Sequence, residues 1–147
     1  MKSSQGLAGG HTIKDQTRWG ISSGGKSPGE IDIFVKESDG TPFAIIEALI
    51  IDSLDQTNLK LHIDKLFRYE TSGLKQNFIL IYSEAKNFTW LWEKYIEFIK
   101  NHAYDYQFMS FEIVDDRFTE LKIGKTTHLR NGEPVFLYHF MLNLNFE

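Results

Sequence analysis

A chain of 147 residues with 41% apolar side chains is long enough and apolar enough to bury one core, and its many aromatics argue against disorder. It has no cysteine, which excludes disulfides and thiolate metal sites, and no apolar run near the roughly 18 residues of a membrane helix. The net charge of −4 argues against a protein that grips nucleic acid with a basic face; a metal-dependent nuclease, acidic at its centre, is compatible with it.

Residues 1–16 read as a flexible leader, without the apolar centre of a signal peptide, ahead of a single domain over 17–147; a cytoplasmic location is expected. "GISSGGKS", residues 20–27, matches the spelling of a phosphate-binding loop. Its context does not: only "TRW" precedes it where a buried strand should stand, and Pro28-Gly29 lead into a strand instead of a long helix.

"GEIDIFVKESDGTPFAIIEALI", residues 29–50, holds two apolar runs meeting at Asp39-Gly40, a strong hairpin signal. With those two residues as the turn, opposed residues have numbers summing to about 79. Pro42 then falls opposite Glu37, in a pair that needs no N–H, and Asp32 falls opposite Glu47. Residues 51–71 read as a helix capped by Asp52 or Ser53, with Leu59, Ile63, Leu66 and Phe67 as its apolar stripe and Gly73 at its end. "NFILIYS", 77–83, reads as a buried central strand, and a second helix starts near Asn87 with Phe88, Trp92, Tyr95 and Ile99 on one face. The tail reads as three strands, the last two joined at Asn131-Gly132 with Pro134 opposite Leu129. The expected fold is α/β: a mixed central sheet with flanking helices and a C-terminal hairpin extension.

Opposed residues of a hairpin share a face, with Cβ atoms roughly 5 Å apart. Asp32 and Glu47 would therefore meet among Phe34, Ile45 and Leu49, where two ionised carboxylates need a compensating cation. Hard oxygen ligands suit Mg²⁺ or Mn²⁺, the Ala48 carbonyl can add a ligand, and Glu30, two residues before Asp32, points to the same face. His128 and His139 lack an acid partner at metal spacing and read as structural or surface residues; Trp90 and Trp92 read as packing residues or a partner surface.

These residues resemble the PD-(D/E)XK, or restriction-endonuclease-like, superfamily: an Asp on one strand, matched by Asp32, then Glu-X-Lys on the antiparallel next, matched at Glu47, then a helix and a further strand. The resemblance covers about residues 17–83. It implies a restriction-endonuclease-like core that hydrolyses phosphodiester bonds with Mg²⁺ or Mn²⁺, on DNA ahead of RNA. It also resembles nuclease-like domains of bacterial defence proteins, with a larger parent protein or a second copy as partner. Leu49 holds the motif lysine position, so the resemblance implies a lysine from elsewhere: Lys26 in the Gly/Ser loop, or Lys60 or Lys65 on the first helix. On the helical wheel, His62 and Lys65 lie together on the flank opposite Lys60. The alternative is a domain of this fold that no longer cuts and serves as a binding or assembly module.

Overall fold

Seven strands form one mixed sheet in the computed structural model, which describes residues 11–15, 31–70 and 72–145. In chain order the elements are β1 (His11–Asp15), β2 (Ile31–Glu37), β3 (Pro42–Ile51), α1 (Gln56–Tyr69), β4 (Gln76–Ser83), α2 (Phe88–Asn101), β5 (Gln107–Asp115), β6 (Leu121–Arg130) and β7 (Glu133–Asn143). Across the sheet the order is β1-β2-β3-β4-β7-β6-β5. The pairs β3–β4 and β4–β7 are parallel, and the others are antiparallel. The mixed α/β class is as expected, but the last hairpin is no extension: β7 lies beside β4 and completes the sheet. β1 falls within the stretch expected as a leader and pairs with β2. No helix among the described residues is long and apolar enough to cross a membrane.

Both parallel crossovers, β3–α1–β4 and β4–α2–β5, step the same way across the sheet. Right-handed crossovers then put α1 and α2 on one face. Burial agrees. Ile45, Leu49 and Ile51 of β3, Ile79 and Ile81 of β4, and Leu137 and Met141 of β7 are buried in one core with Leu59, Ile63, Leu66 and Phe67 of α1 and Phe88, Leu91, Trp92, Tyr95 and Ile99 of α2.

The first hairpin reaches its expected register by a different turn. Gly40 N donates to Glu37 O, Glu37 N donates to Thr41 O, and Gly40 has φ +91°, which defines a three-residue loop over 38–40. Lys36 therefore faces Pro42; a bulge at Phe43 absorbs the extra residue, Val35 faces Ala44, and Asp32 faces Glu47. Pro42 still avoids a pair that needs its N–H, since the hydrogen-bonded pair is the one next to it. The second hairpin is as expected. Asn131 and Gly132 have φ of 51° and 80°, as a two-residue type I′ turn requires, and Pro134 faces Leu129.

The first helix starts later than expected. Ile51 is still paired in the sheet with Ser83, and Asp55, not Asp52 or Ser53, caps α1 by accepting from Asn58 N at 3.1 Å. At the other end, the buried Glu70 carboxylate accepts from the backbone N–H groups of Ser72, Gly73 and Leu74 and from Arg130. This acceptor, rather than Gly73 alone, turns the chain from α1 into β4.

Candidate functional site

Glu47 sits in the middle of β3 with its side chain on the helix face, and it is 1% exposed. A bare carboxylate there would cost several kcal/mol. Two side chains of α1, three residues apart and so one above the other on the helix, reach it. His62 Nδ1 lies 2.5 Å from Glu47 Oε1, and Lys65 Nζ lies 3.3 Å from the same oxygen. His62 is buried, and the Lys65 side chain is 20% exposed, so the ammonium joins the buried acid to the surface.

The backbone of Asp32 stands directly opposite Glu47, so the two residues share a sheet face; the Asp32 side chain, Lys26 and Glu30 lie outside the described residues. Ala48 is buried, with Ile31 opposite on β2 and Leu80 beside it on β4. Of the two helix lysines considered from the sequence, Lys65 is the one on Glu47. Lys60 turns to the other flank of α1, where it donates to Asp64 at 2.8 Å. Leu49, at the motif lysine position, is 1% exposed and belongs to the core. Among the described residues, no three or more His, Asp or Glu side chains converge on a common point as metal ligands would.

His62 was not among the residues assigned a role from the sequence. The signal was there: it precedes Lys65 by one helical turn, on the helix that follows Glu47.

The histidines of the last hairpin are structural. His128 and His139 are both fully buried on the helix face. Tyr95 of α2 lies 2.7 Å from His139 Nδ1, His139 Nε2 lies 2.9 Å from Thr126 Oγ1, and His128 Nε2 lies 2.9 Å from that same hydroxyl. Burial pushes the Tyr95 phenol well up, so it stays protonated and donates to Nδ1; the His139 proton is then on Nε2. Burial pushes His139 down to about 3 and His128 down to about 4, so both are neutral. Trp92 is buried in the core, whereas Trp90 is half exposed.

Comparisons with protein-family models, with curated proteins and with solved structures returned no match. The functional reading therefore rests on the residues and their geometry.

Proposed function

We propose that the chain is a phosphodiesterase domain that hydrolyses DNA with Mg²⁺ or Mn²⁺, using a PD-(D/E)XK-like centre. One observation carries this reading: Asp32 faces Glu47 across an antiparallel hairpin, and the helix that follows brings Lys65 to Glu47. Two antiparallel strands, β2 and β3, followed by the helix α1 and the further strand β4, stand in the order the sequence resemblance calls for.

The donor chemistry fits a hard cation. Glu47 is a buried carboxylate among Ile45 and Leu49, and the residue opposite it is an aspartate, whose carboxylate would be a second oxygen donor. Asp32 and Glu47 would hold the ion, with the Ala48 carbonyl as a further donor. The ion, when bound, acidifies a water and polarises the scissile phosphate. The chain's own groups do the rest. His62 fixes the Glu47 carboxylate through Oε1. Lys65 places a positive charge beside the site, where it offsets charge that develops on the phosphoryl oxygens. Glu30 and Lys26 are proposed to complete the acidic and phosphate-contacting sides.

A second reading is favoured by two facts: Glu47 Oε1 already receives two basic side chains, and Leu49 fills the motif lysine position inside the core. The domain would then keep the fold and serve as a binding or assembly module. A plasmid-nicking assay with Mn²⁺ and EDTA controls separates the two. Metal-dependent nicking lost in Glu47→Gln supports the nuclease; metal binding without nicking supports the module.

A further inference from the structure

The two edges of the sheet differ. β1 has five residues, "HTIKD", with a lysine and an aspartate among them, the short and charged form in which natural sheets guard an edge. β5, "QFMSFEIVD", is nine residues long, holds neither proline nor a basic residue, and has β6 on one side and no strand on the other among the described residues. Residues of an edge strand alternately turn their N–H and C=O groups away from the sheet, so β5 offers main-chain donors and acceptors to another strand. Its side chains are open as well: Met109, Ile113 and Val114 are each nearly half exposed. The two acids of β5 are already neutralised within the chain, Glu112 by Lys125 at 2.9 Å and Asp115 by Arg117 at 2.6 Å.

The order of residues along β5 says what fits this edge. Outward from Phe111 the polarity is the same in both directions: Ser110 and Glu112 are polar, Met109 and Ile113 apolar, Phe108 and Val114 apolar, Gln107 and Asp115 polar. An antiparallel pairing of β5 with itself, about a two-fold axis at Phe111, sets the two members of each pair opposite one another. Apolar then meets apolar, and each carboxylate meets a hydroxyl or an amide. Neighbouring registers lose this match. An axis at Glu112 opposes the two Glu112 carboxylates, and an axis at Ser110 sets Glu112 against Phe108. Bulges at Met109 and Val114 interrupt the pairing of β5 with β6, but Ser110, Phe111, Glu112 and Ile113 lie between them in unbroken register with Thr127, Thr126, Lys125 and Gly124. The bulges therefore flank the axis and keep the regular pairing short.

We propose that β5 is the docking edge for a second copy of this chain, paired antiparallel with its own β5 about a two-fold axis at Phe111, so that the two sheets join into one. The contact is isologous and closes at two members, unlike pairing of β5 with a different strand, which would propagate. The axis stands perpendicular to the joined sheet, so the helices of both copies, and both Glu47 side chains, lie on the same face. Ser110 and Glu112 lie on the other face, that of Thr127 and Lys125, where Ser110 of one copy can donate to Glu112 of the second.

Sedimentation equilibrium in EDTA, at protein concentrations up to about 0.2 mM, tests this without any divalent ion and so independently of the nuclease reading. The expected result is a monomer–dimer equilibrium with Kd about 0.1 mM or tighter, the strength of a small interface. Ile113→Lys puts an ammonium on the edge and weakens the dimer at least about tenfold, whereas Leu61→Lys, on the exposed side of α1, leaves it unchanged. Ser110 reports the register: Ser110→Lys, opposite Glu112 of the second copy, tightens the dimer about threefold or more, and Ser110→Glu weakens it by about the same factor. A protein that stays monomeric over the whole range, association that grows past two, or a dimer that Ile113→Lys leaves intact overturns the proposal. So does a pair of Ser110 variants with equal affinity, and these exposed substitutions decide the matter whether or not Ile113→Lys folds.

Discussion

Lys65 Nζ lies 3.3 Å from Glu47 Oε1, although the two residues are 18 positions apart and the motif position closest to Glu47 on its own strand is filled by Leu49. The positive charge that the strand lacks arrives from the helix above it. Lys65→Met is therefore expected to lower Mn²⁺-dependent nicking by about 10²–10³-fold, the usual loss for one electrostatic donor at a reacting centre. Lys75→Met, which removes a surface pair with Glu133, is expected to leave the rate unchanged. Nicking rates on supercoiled plasmid decide this; equal rates for Lys65→Met and the parent protein would remove Lys65 from the mechanism.

Restoring the motif lysine on the strand should fail. Leu49 is enclosed by the core, so Leu49→Lys buries an ammonium without a partner and is expected to destabilise the fold by about 3–5 kcal/mol. It should not rescue Lys65→Met. Urea unfolding of the single variant, with nicking by the double variant, checks both halves; a stable and active double variant would show that the strand position still serves the site.

Acid should weaken the fold through the buried histidines. Their folded values, about 3 for His139 and about 4 for His128, lie below the ordinary histidine value, so the unfolded chain binds protons that the folded chain refuses. Their contribution is complete above pH ~6.5 and is lost as the pH falls from there to about 4 for His128 and about 3 for His139, with a slope of up to about 1.4 kcal/mol per pH unit for each histidine. Urea melts at pH 7, 6 and 5 should show this fall, and His139→Gln should reduce the slope. Stability that is flat over this window would mean that the imidazoles take protons in the folded state.

Gly124 is the close approach in β6. A Cβ there would lie 2.8 Å from Phe111 Cε1 and 3.4 Å from Trp92 Cη2. Gly124→Ala is expected to destabilise by about 1–3 kcal/mol through overpacking. Phe111→Leu should recover part of that loss, because it removes the ring edge nearest the new methyl. Thermal unfolding of the two single variants and the double variant gives the coupling directly; additive effects would locate the strain elsewhere.

Much of this architecture was legible because local signals and packing agree. Asn131-Gly132 supplied both positive-φ residues of its turn, and the stripes on both helices fell on the buried face. The Asp32–Glu47 register was reached although the turn was not. A three-residue loop and the bulge at Phe43 shift the count by one in opposite directions. Nothing local fixes that choice, since Asp-Gly suits both turns, and here the Asp39 carboxylate also accepts from Thr41 N. The late start of α1 was hidden for a related reason: parallel pairing with β4 holds Ile51 in the sheet, and tertiary pairing overrides local helix signals. The Asp64–His102 contact joins residues 38 positions apart with no pattern to mark it, and His62 was visible only as a neighbour of Lys65.

The most direct test of the central claim is isothermal titration of Mn²⁺ into the parent protein, Asp32→Ala and Glu47→Gln, with folding of each variant confirmed by circular dichroism. Saturable binding in the parent, weakened at least about a hundredfold in both variants, is the expected result. Binding that survives either substitution in a folded protein, or a parent that takes up no ion, would contradict a shared cation between the two strands.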